Sequence, residues 1–256
     1  MTIELSIIPC RSDNYAYIVK DAPTGAVTLV DAPEAAPILE ALKVAGVKLD
    51  GILLTHHHED HIAGVAEIRA RTGAKVIGAA ADAHRLPPLD VALEPGNQIQ
   101  IGSDAVQVLD VPGHTVGHLA YYFPQSGMVF TGDSLMSWGC GRLFEGSPEQ
   151  MLASLRRLAA LPDGIIVCSG HEYTEANGRF ALHLEPDNPA LKSRMRETLT
   201  RRNRGEPSVP STLALEKATN PFLRADDPDL KAALGLPSTA SALDVFTKAR
   251  QAKDQF

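Results

Sequence analysis

Cysteine and long apolar runs are both scarce in this chain, and each scarcity excludes a class of protein. Three cysteines, Cys10, Cys140 and Cys168, are spread over 256 residues. None belongs to a CxxC pair, so neither a disulfide framework nor a thiolate zinc site is expected. Each reads as a free, buried thiol, and any metal must be held by nitrogen and oxygen. No apolar run approaches the roughly 18–20 residues needed to cross a bilayer. The opening MTIELSIIPCRSDNYAYIVK alternates like a strand and lacks the basic and apolar regions of a signal peptide. A cytoplasmic protein with no membrane partner is expected. A GxSxG elbow and a credible Cys–His nucleophile are also missing, so covalent catalysis is not indicated.

Basic charge is in short supply too. The net charge is −7, but residues 1–173 carry 11 Lys/Arg against 20 Asp/Glu, whereas residues 174–256 carry 13 against 11. An acidic chain argues against nucleic acid as a partner. The more basic tail leaves room for a small anionic ligand. Its stretch KSRMRETLTRRNRG (192–205) has six basic residues and one acid and reads as a solvated helix face.

What is present is texture. Short β-branched runs predict strands near 3–9, 14–20, 26–31, 51–55, 75–79, 98–102, 105–111, 119–123, 128–131 and 165–169. Helical patterns interrupt them at 33–45, 61–72 and 148–160, the last opened by the capping pair Ser147-Pro148. The mixture predicts an α/β sandwich with helices outside two sheets. Beyond residue 173 strand signals vanish, and helices are expected at 174–184, 188–203, 211–218 and 239–250. Two domains follow, 1–173 and a helical 174–256 whose apolar faces need a surface to cover.

Residues 55–61 read THHHEDH and hold four of the nine histidines. They follow GILLT, an apolar run of strand length. Were the chain to stay extended, His56 and His58 would face one way and His57 the other. Asp60 and His61 would come next as the backbone turns into a helix. Imidazole and carboxylate both suit zinc, which takes about four ligands. Further donors stand at strand ends: His114 in DVPGHTVGH, Asp133 in MVFTGD and His171 in IIVCSGH. His118 is expected to bond nearby backbone or a ligand, and His84 and His183 have no motif around them. Asp31, in LVDAP, is either a turn residue or a carboxylate that orients a ligand imidazole.

The ordered set HxHxDH, His114, Asp133, His171 resembles the metallo-β-lactamase superfamily. That resemblance implies an αββα sandwich carrying two divalent metal ions, zinc foremost, with iron or manganese tolerated. Carried over residue by residue, it puts the first ion on His56, His58 and His114 and the second on Asp60, His61 and His171. Asp133 bridges both. Asp60 and Asp133 then orient a metal-bridging hydroxide as the catalytic carboxylates.

The stretches GDSLMSWGCGRLFEGSPEQM (132–151), GHEYTEANGRFALHLEPDN (170–188), PSTLALEKATNPFLR (210–224) and ARQAKDQF (249–256) resemble glyoxalase II, the hydroxyacylglutathione hydrolases. That resemblance implies cleavage of S-D-lactoylglutathione to glutathione and D-lactate, the second step of methylglyoxal detoxification, by a monomer. Its glutathione contacts map onto Arg142, Tyr173, Arg250 and Lys253. Where some members carry Lys and Tyr, this chain has Arg142 and Phe144, which changes the shape of the charge and removes a hydroxyl. The competing reading is a glutathione persulfide dioxygenase with a single iron. A tRNA-processing nuclease, a lactamase and a non-catalytic binding module fit less well.

Overall fold

A computed structural model describes residues 3–256; the first two residues of the expected 1–173 domain lie outside them. The chain divides into two compact units. One runs to Asp110 and resumes over Gly117–Gly132; the other takes Val111–Val116 and Asp133–Phe256.

In the first unit, chain order is β1 (Ile3–Cys10), β2 (Asn14–Asp21), β3 (Val27–Val30), α1 (Ala35–Ala45), β4 (Gly51–Leu53), α2 (Glu59–Ile62), α3 (Val65–Thr72) and β5 (Lys75–Ala79). Then come β6 (Val91–Leu93), β7 (Gln98–Ile101), β8 (Asp104–Asp110), β9 (Leu119–Phe123) and β10 (Met128–Gly132). β1 to β6 form a sheet in sequence order. The first three strands are antiparallel; β3, β4, β5 and β6 are parallel, with Leu29 opposite Ile52 and Ile52 opposite Val76. β1 stands at the edge and is mostly accessible, whereas β2 is buried along nearly its whole length. β7 to β10 form an antiparallel set. The Tyr17 ring of β2 meets the Phe130 ring of β10 edge-on at 5.4 Å.

The parallel strands matter most for function. β3 and β4 run side by side, so the residues after their carboxyl ends, Asp31 and Thr55–His61, emerge at one rim. That rim is where open α/β sheets place ligands. The expected helix over 61–72 is interrupted at Gly64, whose N–H donates to the Ala32 carbonyl at 2.8 Å. A Cβ there would stand 2.8 Å from the Ala35 nitrogen, so only glycine fits.

The second unit contains β11 (Leu135–Met136), β12 (Gly139–Cys140), α4 (Pro148–Ala159), β13 (Ile166–Ser169), α5 (Thr174–Leu184), α6 (Pro189–Asn203), β14 (Ser211–Thr212), α7 (Leu213–Thr219), α8 (Pro228–Ala233) and α9 (Ala242–Gln255). Ser147 and Gln150 close a capping box on α4, as do Ser241 and Asp244 on α9. The short elements β6, β11, β12, β14 and α8 carry too few residues to show a period. The split at 173/174 does not coincide with these units. β13 pairs with β14 and α4 packs on α9, which ties residues 133–173 to the helical tail. Among the described residues no helix is long and apolar enough to cross a membrane.

Candidate metal centre

In the first unit the site begins at Asp31, held in the left-handed region at φ 55°, uncommon without glycine. Its Oδ1 accepts the Thr55 N–H at 2.8 Å and its Oδ2 the Thr55 hydroxyl at 2.8 Å. Oδ2 also lies 2.9 Å from His61 Nδ1, with both side chains buried. The Thr55 hydroxyl, its proton given to Asp31, accepts from His56 Nδ1 at 3.0 Å. These partners assign the proton of each ring to Nδ1 and leave Nε2 of His56 and His61 with a lone pair for a metal. Asp31 is therefore the orienting carboxylate rather than a turn residue.

His56 Nε2 faces His58 Nδ1 at 3.1 Å. Two nitrogens held at ~2.0–2.1 Å by a tetrahedral ion would stand about 3.3 Å apart, so the pair is spaced as ligands of one ion. Asp60 Oδ2 lies 3.9 Å from His61 Nε2. Asn14, across from the motif on β2, donates to Asp60 Oδ2 at 3.1 Å and to its carbonyl at 3.0 Å. Nothing in the sequence signalled Asn14, because a lone asparagine at a strand start has no motif. His57 Nδ1 lies 3.3 Å from Asp82 Oδ2, but the strand ends at Leu53 and alternation does not carry through the motif: the His57 ring meets that of His58 edge-on at 4.9 Å. His118 donates from Nδ1 to the Leu119 carbonyl at 3.1 Å, and its ring stacks on His56 at 4.7 Å. His84 and His183 are exposed.

The second unit holds three more expected ligands. Asp133 Oδ2 lies 3.5 Å from His114 Nε2 and 3.3 Å from His171 Nε2. One carboxylate oxygen thus approaches two imidazoles, the spacing a bridging ligand needs. His114 Nδ1 donates to the Arg142 carbonyl at 2.8 Å, which again leaves Nε2 as the donor atom. Gly141 makes this possible: a Cβ there would collide with the Asp133 carbonyl and stand 2.8 Å from His114 Nδ1.

The expected substrate groups are near in the same unit. Tyr173, 39% exposed, stacks its ring on His171 at 4.6 Å. Phe144, 63% exposed, lies 5.2 Å from the His114 ring. Arg142 is exposed. Burial, then the charges of Arg250 and Arg142, push the Lys253 ammonium below its usual range. Asp254 opposes that shift. Arg250, expected at the glutathione subsite, differs in having partners of its own. It is only 5% exposed, donating to the Cys140 carbonyl at 2.9 Å and to Asp254 at 2.8 Å, above the Phe222 ring. A second difference lies in 192–205: Arg194 is buried on Glu216 rather than solvated. All three thiols are buried as expected, and burial pushes Cys10 and Cys140 up to about 11, which disfavours a thiolate nucleophile.

The donor set, five imidazoles and two carboxylates, matches a borderline divalent ion and contains no thiolate. Residues 12–171 match the model of the metallo-beta-lactamase superfamily, and residues 172–256 match that of the hydroxyacylglutathione hydrolase C-terminus. The chain is 60% identical to a hydroxyacylglutathione hydrolase of Rhodobacter capsulatus over all of both chains. Among solved structures, TTHA1623 in a di-iron-bound form is 30% identical with TM-score 0.61, over 84% of this chain and 98% of that one. ETHE1 from Myxococcus xanthus is 24% identical with TM-score 0.67, over 98% and 90%, and so shares the fold. With both family models matched and the relatives aligned end to end, this chain belongs to the hydroxyacylglutathione hydrolase family of the metallo-beta-lactamase superfamily.

Proposed function

We propose that the protein hydrolyses 2-hydroxyacyl thioesters of glutathione, S-D-lactoylglutathione foremost, to glutathione and the free acid, here D-lactate. The observation that carries the reading is the 60% identity to a hydroxyacylglutathione hydrolase across the whole chain, helical tail included. The fold alone would not choose among reactions.

Two divalent ions belong to this reading, zinc foremost, with iron and manganese compatible. His56, His58 and His114 would hold the first, Asp60, His61 and His171 the second, and Asp133 would serve both. The reading is supported within each unit: His56 Nε2 faces His58 Nδ1 at 3.1 Å and Asp60 Oδ2 lies 3.9 Å from His61 Nε2 in the first, and Asp133 Oδ2 stands 3.5 and 3.3 Å from His114 and His171 Nε2 in the second. Such ions supply Lewis acidity, polarising a carbonyl oxygen and lowering the pKa of water toward neutrality.

The chain's own residues do the rest. Asp60 and Asp133 accept the hydrogen bond of the attacking water and aim its lone pair at the thioester carbon. The thiolate that departs has a conjugate acid near ~8.5, so no general acid need protonate it. Arg142, Tyr173 and Lys253 contact the glutathione portion. Arg250 adds its charge to that subsite while NH1 and NH2 stay on Cys140 and Asp254. Phe144 contributes an apolar face without a hydroxyl. In this reading residues 1–173 form the metal domain and 174–256 the glutathione-binding extension of a cytoplasmic monomer.

Purified protein tested on S-D-lactoylglutathione beside metal quantification decides the matter. Turnover with about two ions per chain is expected. Two ions without thioester hydrolysis would remove the substrate, and oxygen uptake on glutathione persulfide with one iron would install the competing dioxygenase.

A further inference from the structure

The segment joining Asp133 to Arg142 carries two things the metal centre needs: the bridging carboxylate and the carbonyl that receives His114 Nδ1. In between, β11 and β12 pair through Leu135–Cys140 and Met136–Gly139, turning at Trp138, whose φ of 59° is left-handed without being glycine. A two-residue-a-side hairpin with a strained corner cannot hold itself.

Side chains of the helical tail hold it. Glu216 of α7, 0% exposed, accepts the Trp138 N–H at 2.8 Å and the Ser137 hydroxyl at 3.4 Å. Arg194 of α6 closes a buried ion pair with Glu216, donates to Ser137 Oγ at 2.8 Å, and lies over the Trp138 ring at 4.5 Å. Asn220 donates to the Met136 and Gly139 carbonyls at 3.2 and 3.0 Å and to Glu216 at 3.3 Å. Asn177 of α5 donates to the Ser137 carbonyl at 3.0 Å. Past the hairpin, Gly141 N–H returns to the Asp133 carbonyl at 2.9 Å.

From this arrangement we infer that Glu216, paired with Arg194, is a positioning residue for the metal centre: through Trp138 and its hairpin it fixes where Asp133 and the His114 acceptor stand. The inference rests on the reading of Asp133 and His114 as metal ligands. A tail so built is not merely a substrate handle. It holds the hairpin from which the bridging ligand is hung. A buried ion pair is a weak source of net stability, and five donors aimed at one carboxylate, the Ser211 hydroxyl at 2.5 Å being the fifth, point to a specified position rather than to a gain in folding energy.

The test separates position from stability. Glu216→Gln keeps shape but leaves Arg194 buried without a counter-charge, which destabilises the fold as well as the hairpin. Arg194→Met/Glu216→Leu removes both charges in similar volume and is expected to fold with a thermal midpoint near that of the parent in metal-free form. For both proteins, bound ions per chain are measured against rising chelator, with kcat and KM determined at saturating metal. The expected result is ion retention about 10- to 100-fold weaker in the double variant, with kcat lowered and KM unchanged. Parent-like retention in a folded double variant overturns the inference and leaves the metal site intact. A parent protein that binds no ions overturns the reading of the ligands, and the inference with it.

Discussion

Asp31 Oδ2 stands 2.9 Å from His61 Nδ1, and the same carboxylate takes both the N–H and the hydroxyl of Thr55. One side chain therefore sets the tautomer of His61 directly and that of His56 through Thr55. Asp31→Ala leaves these three buried donors unmatched. Losses of about 1–3 kcal/mol are ordinary for one such group, so a lower melting temperature is expected, together with ion retention about tenfold or more weaker. Chelator titration of the folded variant checks it; unchanged retention would remove Asp31 from the support of His61.

Asp133 approaches His114 and His171 with one oxygen. Asp133→Ala should reduce both ions per chain and turnover. A variant with two ions and parent-like kcat would end its bridging role.

His57 is fixed on Asp82, which Arg85 also holds at 2.6 Å. His57→Ala should keep the full metal complement, since its Nδ1 is turned to Asp82. Loss of one ion on quantification would show that alternation had picked the wrong histidine.

Lys253 and Arg250 separate into different roles. Lys253→Ala should raise KM for the thioester severalfold with kcat little changed, because the contact is remote from the carbonyl. Arg250→Ala should in addition lower the melting temperature, having orphaned the Cys140 carbonyl. A purely kinetic effect at Arg250 would contradict its buried contacts.

The depressed Lys253 pKa makes a pH prediction. Burial, Arg250 and Arg142 disfavour the ammonium, so it loses its proton below the ordinary 10.5. For folding, the unfolded chain holds that proton more tightly, so this group's penalty is present at neutral pH and relieved as pH rises through the depressed value. For binding the sign reverses: an anionic ligand needs the proton, and KM should climb as pH rises toward 10.5. Lys253→Met should flatten that rise after subtraction of spontaneous hydrolysis. An equal rise in the variant would assign it elsewhere.

The seven proposed metal donors stood out in the sequence because they recur at strand ends in a fixed order, and strand ends are declared by apolar runs. HxHxDH announced a cluster of donors but not how each ring faces: the strand ends at Leu53, and the His57 ring meets that of His58 at 4.9 Å. Composition told of nitrogen and oxygen ligation and of a change of texture near residue 173. Asn14, Thr55, Glu216 and Arg194 carry no such pattern. Their partners lie 46, 24, 78 and 22 residues away in sequence, and only tertiary contact makes them support for a site. The burial of Arg250 and Arg194 was likewise decided by tertiary structure. A cation at helical spacing reads as solvated until a carbonyl or carboxylate is brought over it. Local sequence thus determined which atoms could bind metal, while long-range packing decided which way each is held, because a hydrogen bond between distant segments leaves no trace in either one alone.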